Sequence, residues 1–470
     1  MRRLLISVVG LFTLIALLLT EENWRGKRAW ENFRSEWEAK GERFDLASFI
    51  PQTVQGDLNF VMTPFFAPLL QRERDLAEGG TKESIVPEST LDVYGATRPA
   101  PSFGSLKTGK LTDLQDWQKF YRTNTNFPSA PKSQGAAKDV LLALDKFRPV
   151  LTELREASRR PVAVFPLYPD KRADFGLLPF TRLGPLKSIA PVLRLRATAF
   201  LADGQSHEAL EDVRVNFRLA DSLKPEPFLI SHLVRLSLLD TSINSVWEGL
   251  ARHQWSEPEL VELQGLIQSI DLLADYDQVI RGERAGSNAL MANMRGGHRL
   301  MTGLLYQNQV RINRLYQLRF LPLIDSRLHR VYPKFSNQLT NAPEFRKRTP
   351  YNFLARLLLP AIEKNAMKTA QEQTILDQAG VACALERYRL ANGGYPENLQ
   401  SLSPQLVKKI PTDLINGESL HYHRTDDGRF VLYSIGWNEK DDGGTVALTD
   451  SEPPGINPDK GDWVWEYPVN

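Results

Sequence analysis

The residues of this 470-residue chain whose types and spacing could do chemistry are carboxylates and a few histidines. His421 and His423 lie two apart in Leu420–Arg424, a run that reads as a strand, so the pair shares one face. Two such imidazoles can hold a metal, but no third ligand stands nearby, and an exposed strand face is the simpler reading. Asp426-Asp427 and Asp441-Asp442 lie in turn-like segments. Catalytic carboxylate pairs of the glycosidase kind carry no sequence signature, so a hydrolase built on unidentified carboxylates is one functional reading. The chain has no P-loop, no GxGxxG after a strand, no GxSxG and no HExxH. Cys383 is the single cysteine, which excludes an intrachain disulfide, a cysteine zinc cluster and a CxxC redox pair. A net charge of +2 makes no case for nucleic acid. The chemistry therefore favours a structural or protein-interaction role over an enzyme.

The elements that would position these residues begin with a membrane segment. Arg2-Arg3 precedes the uncharged apolar run Leu4–Thr20, which Glu21 and Glu22 terminate. As a helix this run is about 25 Å long, near the lower limit for crossing a bilayer. It ends Ala16-Leu17-Leu18-Leu19-Thr20, without the small residues of a signal-peptidase site. The expectation is an uncleaved single-pass anchor in the cytoplasmic (inner) membrane with a periplasmic body; a cleaved signal is the competing reading. Arg2 and Arg3 favour a cytoplasmic N-terminus, and Arg25, Lys27 and Arg28 blunt that bias. Trp30, Phe33 and Trp37 then fall on one helical face, a stem that packs on the body or lies at the membrane surface.

Four segments follow from composition: the anchor 1–20, a stem and loop-rich connector 21–137, a helical domain 138–350 and an α+β module 351–470. Within the second, Pro51–Phe103 is rich in proline and glycine and reads as loops with short helices. Helical spacing marks Lys138–Arg159, a hairpin over Leu193–Leu223, then Phe228–Leu250 and Glu257–Arg284. Pro161–Pro191 is broken by prolines, with an extended stretch at Val162–Pro169. Ser256 before Glu257-Pro258-Glu259 is a helix start. Arg295–Arg348 carries eleven Arg or Lys and two acids, Asp325 and Glu344. It fits anionic lipid or an acidic protein partner, or else a solvated helical face whose charges are balanced by acids elsewhere.

The last segment is the most legible. Ile375, Ala379, Ala382, Leu385 and Tyr388 form one stripe, with Leu376, Cys383 and Leu390 beside it: a helix with a broad buried face. Asn392-Gly393-Gly394 supplies a left-handed C-cap, and Pro396 stops continuation. Leu420–Arg424 and Phe430–Ile435 read as strands joined by the turn Thr425-Asp426-Asp427-Gly428, with a last strand at Trp463–Tyr467. The fold class is thus mainly α with a C-terminal α+β module, one long helix on a small antiparallel sheet.

Three motifs here keep the order of a known family. They are Ala384–Pro396 at the end of the helix, Ile410-Pro411-Thr412-Asp413 through Gly417, and Leu432–Gly436 leading to Asp441-Asp442-Gly443-Gly444. Residues 365–450 resemble the globular head of type II secretion major pseudopilins. The resemblance implies a link to secretion or surface assembly, although more than 300 residues here separate head and anchor where a pseudopilin has none. It also implies calcium in the loop after Phe430–Ile435, held by Asn438, Asp441, Asp442 and, after a short turn, Asp450. Calcium takes several oxygen ligands, which these side chains carry. Near the N-terminus, Gly10–Ile15 resembles a prepilin processing site, but Leu11 intervenes and Ala16 replaces its glutamate. The whole chain resembles uncharacterised membrane-anchored proteins of planctomycete and verrucomicrobial type, which implies no activity.

Overall fold

The apolar run and the charged stem form one unbroken helix, α1 (Arg2–Glu38). The computed structural model describes residues 2–52, 54, 56–78, 91–95, 99–167, 180–297, 302–335, 349–450 and 456–468. The chain is mainly helical, with small antiparallel sheets near the C-terminus. After α1 come α2 (Ala67–Ala77), α3 (Leu114–Thr123), α4 (Ala136–Leu144) and α5 (Arg148–Ser158). They are followed by α6 (Leu183–Ala202), α7 (Ser206–Asp221), α8 (Leu229–Ala251), α9 (Glu257–Gln268), α10 (Leu272–Gly297) and α11 (Thr302–Leu315). The long α12 (Phe353–Asn392) is the spine of the C-terminal part and packs on α8, α9, α10 and α11.

Local chemistry explains most of the boundaries. Ser256 and Glu259 close a reciprocal capping box at the start of α9, so two end amides are satisfied at once. Gly393 takes the left-handed conformation, φ +79°, and its N–H donates to Arg389 O, ending α12. Before α12, the short strands β1 (Ile324–Asp325) and β2 (Arg330–Val331) pair antiparallel. The hairpin β3 (His421–Arg424) to β4 (Phe430–Ser434) turns through Gly428 at φ +80°, and Trp463–Val464 pairs with the far edge of β4.

Two expectations need correction. Lys138–Arg159 is not one helix but α4 and α5, joined by a 3-10 turn over Asp145–Phe147. The helical pattern over Glu257–Arg284 divides between α9 and α10. The chain breaks at Ser269-Ile270-Asp271, where Asp271 Oδ1 accepts from Ala274 N and Leu272 N donates to Gln373 of α12 at 2.7 Å. A side chain distant in sequence thus takes up an amide at the new helix start. Secondly, α6 runs through Pro191 rather than beginning after it. Buried apolar residues on either side, Leu186, Ile189, Val192 and Leu195, hold that helix against the penalty of an interior proline. Of the stretch Val162–Pro169, Tyr168 and Pro169 lie outside the described residues. Val162 forms a short bridge with Asn59.

The main core joins residues from Phe60 to Leu272 with residues from Ile375 to Trp465, so it crosses the compositional boundaries between segments. Ion pairs buried inside it tie distant elements together. Arg182, just before α6, binds Glu73 of α2 and Glu226 before α8, each at 2.8 Å. Neither carboxylate could be left alone there without a large desolvation cost.

Candidate functional site

The C-terminal loop is built around two aspartates, and only one of them, Asp413, belongs to a motif singled out from the sequence. Asp413 is fully buried and accepts from Ile415 N, Ser434 Oγ and Ile435 N at 2.8–2.9 Å, so it pins the 410–417 loop to the end of β4. Asp462, between β6 (Ile456–Gly461) and β7 (Trp463–Val464), is also buried. Its carboxylate accepts from the backbone N–H groups of Asp442, Gly444 and Thr445 at 2.7–3.3 Å. A lone aspartate after a glycine carries no signal in sequence, and its partners lie 17–20 positions away.

The four calcium candidates are placed around this loop but face different ways. Asn438 Nδ2 donates to Asp442 Oδ2 at 2.8 Å, so these two meet. Asp441 turns elsewhere: it accepts from Tyr433 OH at 3.1 Å and Gly443 N at 2.9 Å, and His421 Nδ1 lies 3.6 Å from it. Asp450 is exposed beyond β5 (Val446–Leu448), and among the described residues no hydrogen bond joins it to the other three. The inward-pointing groups of the loop are amides satisfied by Asp462, and amide donors are not cation ligands. Among the described residues, no three His, Cys, Asp or Glu side chains are placed to hold a metal ion. His421 stacks on Tyr433 at 4.7 Å between ring centres, and His423 is exposed. Replacing Asp462 with alanine should loosen this loop by about 2 kcal/mol, the scale of leaving amides unpaired at a charged acceptor. Faster hydrogen exchange at Gly444 and Thr445, with protection of α7 and α8 unchanged, is the expected result; unchanged exchange would remove the claim.

A hydrolase needs convergent carboxylates in a cleft. A cavity of about 320 Å³ between α9, α12 and the 407–411 loop contains one suggestive pair: His329 Nε2 lies 3.4 Å from Asp377 Oδ2, and Gln373 Nε2 holds the other oxygen at 2.9 Å. The Asp377 carboxylate raises the imidazole's pKa, while burial raises that of Asp377 itself. Asp271, Lys408 and Lys409 stand at the rim, and no hydroxyl or thiol lines the cavity. Another buried acid with a raised pKa lies elsewhere. Glu372 is buried in the α8–α12 contact, and burial first, then the Asp240 charge, push it up to about 8. It lines neither this cavity nor the open depression of 550 Å³ beside Asn438 and Asp442.

The best-built site is at the stem. None of the apolar window of α1 is buried, whereas Gly26, Trp30 and Phe33 of the same helix are. Trp30 and Phe33 pack with Phe44 and with Val310 of α11. Gly303 N donates to Asn23 Oδ1 at 2.6 Å. The two helices cross glycine on glycine: a methyl group on Gly26 would lie 2.9 Å from Gly303 Cα, and one on Gly303 2.7 Å from Asn23 N. Arg281 and Arg284 of α10 both reach Glu42, closing the base of the stem.

The described arginines of the basic stretch have no carboxylate partners among the described residues. Among the described residues, Lys334 pairs with Glu439 at 3.4 Å, and none of Arg295, Arg311, Arg314, Arg319, Arg327 and Arg330 pairs with an acid. Arg330 donates to the carbonyls of Leu414 and Ile415; Arg295 donates to Gln309 and covers Tyr306. Arg314 and Arg327 are exposed. Arg299, Arg346, Lys347 and Arg348 lie outside the described residues. Comparison of the chain with protein-family models, with curated proteins and with solved structures finds no match.

Proposed function

We propose that this protein is anchored in the cytoplasmic membrane by residues 4–20 and serves a structural or protein-interaction role in the envelope, its body held outside the bilayer. The observation that carries the reading is α1: an exposed apolar half continues without a break into a half that is docked on the body. A helix that long costs its exposed apolar side chains a large solvation penalty in water and none in lipid. Rigid coupling of anchor to body suits a protein that presents a surface at a fixed height. The pseudopilin-like module, carried by α12, is the part we assign to contacts in secretion or surface assembly.

The protein should remain with membranes after alkaline carbonate washing, and mass spectrometry should find its N-terminal residues intact. A mature chain beginning near residue 21 would overturn the anchor while leaving the docked stem in place. Calcium at Asn438, Asp441, Asp442 and Asp450 requires the oxygens of Asn438, Asp441 and Asp442 to leave their present partners and converge with Asp450. A calcium-dependent rise in melting temperature that Asp442→Ala abolishes would establish it; an unchanged melting temperature would dispose of it.

A further inference from the structure

Resting on the reading of α1 as a bilayer anchor, we propose that the body touches the same bilayer a second time, through a foot that binds anionic lipid headgroups. The foot is the last turn of α10, Arg295–Gly297, and the first turn of α11 around Gly303, flanked by Trp24 and Arg28 of the stem and by the start of α12.

The height of each part follows from named contacts. Asn23 lies three residues past Thr20, the end of the apolar run, so about 5 Å beyond it along the helix. Gly303 is bonded to Asn23 and pressed on Gly26, which places the start of α11 at that level. The headgroup layer is roughly 5–8 Å thick on each side. Gly303 therefore sits within it. From there α11 rises parallel to α1, since Tyr306 and Val310 join the cluster of Trp30 and Phe33 farther along. The helix α10 descends antiparallel to α11: Asn288 bonds Asn313, while Arg295, nearer the tip, bonds Gln309 at 2.6 Å. Its last residues, Gly296 and Gly297, are exposed and point toward the lipid side.

The start of α12 comes down beside the foot. Asn308 donates to Pro350 O at 2.8 Å and accepts from Leu354 N, so residues 350–354 stand about 7 Å above Gly303. Phe353 there is 65 % exposed, and Trp24 on the stem is 61 % exposed. Trp24, about 6 Å past Thr20, lies in the headgroup layer, where an interface favours an open aromatic ring, and Phe353, about 12 Å past it, stands just above the layer's outer edge. Arg28 stacks on Trp24, and among the described residues neither Arg28 nor Arg295, which donates to Gln309, has an acid partner. Of the two acids at the boundary, Glu22 is paired with Arg25 and Glu21 is exposed. Both guanidiniums lie within about one Debye length of the headgroups, where an anionic leaflet attracts them. Arg314 lies farther along α11, beyond that reach.

The test uses the full chain in bilayers with one introduced cysteine carrying a fluorophore. Cys383 is fully buried, with its thiol pushed up to about 12, and stays unlabelled. Probes at Gly297→Cys and Phe353→Cys should be quenched by headgroup spin-labelled lipid several-fold more than one at Asp427→Cys, in the distal β3–β4 turn. The effect should be larger with phosphatidylserine present, and Arg28→Gln with Arg295→Gln should erase that difference. A probe at Leu11→Cys reports the anchor itself through acyl-chain spin label. Quenching at Leu11 with Gly297 and Phe353 no different from Asp427 overturns the foot and leaves the anchor. No quenching at Leu11 overturns the anchor and the foot together. Equal quenching in neutral and anionic bilayers refutes headgroup binding.

Discussion

Replacing Gly303 with alanine should lift the stem off the body, at a cost of roughly 3 kcal/mol. Ordinary overpacking costs about 1–3 kcal/mol because side chains can shift. Here the added methyl meets backbone, the Glu22 carbonyl and Asn23 N, which cannot shift alone. The whole of α1 must move outward, and Trp30, Phe33, Phe44 and Val310 lose their common packing. Gly10→Ala is the internal control, because a methyl there meets nothing and should slightly favour the helix. Hydrogen exchange should rise over residues 24–38 and 303–312 in the Gly303 variant, while α6, α7 and α8 keep their protection. Tryptophan emission should shift red. Indistinguishable behaviour of the two variants would mean that the glycine crossing does not hold the stem. For the proposed foot, the same variant should lower quenching at Phe353 without releasing the protein from the membrane.

What could be read beforehand divides by range. The apolar run, the Ser256–Glu259 capping box, the Gly393 cap and the Gly428 turn are local signals, and each lies where its residues place it. Trp30, Phe33 and Trp37 were legible as a face, but not that Phe44 and Val310 would complete it. Contacts across many residues left no trace. Gln373 at the start of α10, Asp462 under its loop, and the Arg182 pair with Glu73 and Glu226 depend on side chains that any other position could supply equally well. The basic stretch shows the same limit from the other side. A count of charges says that compensating acids exist, yet Arg295, Arg311 and Arg330 of the stretch meet carbonyls, an amide and rings instead of acids. Among the site residues, Asn438 and Asp442 were legible as neighbours because a short turn joins them. The destination of Asp441, toward Tyr433 and His421, depended on a strand register that spacing alone did not specify.

Stability should fall as pH rises from about 5 to 8, and Glu372→Gln should flatten that dependence. Glu372 sits on α12 against α8, where Lys107 pairs with Asp240 at 2.6 Å, and its Oε1 has no hydrogen-bond partner. Burial raises its pKa most, the Asp240 charge raises it further, and Lys107 offsets only part, leaving it at about 8. A folded pKa above the unfolded value means that the native state holds the proton more tightly. The contribution is therefore complete below the unfolded pKa near 4.5 and is lost as pH climbs through 8. The slope is at most about 1.4 kcal/mol per pH unit within that window. Glutamine keeps the shape of the protonated acid and cannot ionise, so the variant should match the parent near pH 5. At pH 8 it should be the more stable by roughly 3 kcal/mol, less if water enters to solvate the carboxylate. Urea denaturation at pH 5, 6.5 and 8 measures the difference directly, and parallel curves for the two proteins would show that Glu372 ionises without cost. The position gives the effect its reach: α12 runs from the proposed membrane foot at Phe353 to the C-terminal module at Asn392, and Glu372 lies at its midpoint. Loss of that proton would loosen α8 from α12 where the membrane-side and distal halves of the body are joined.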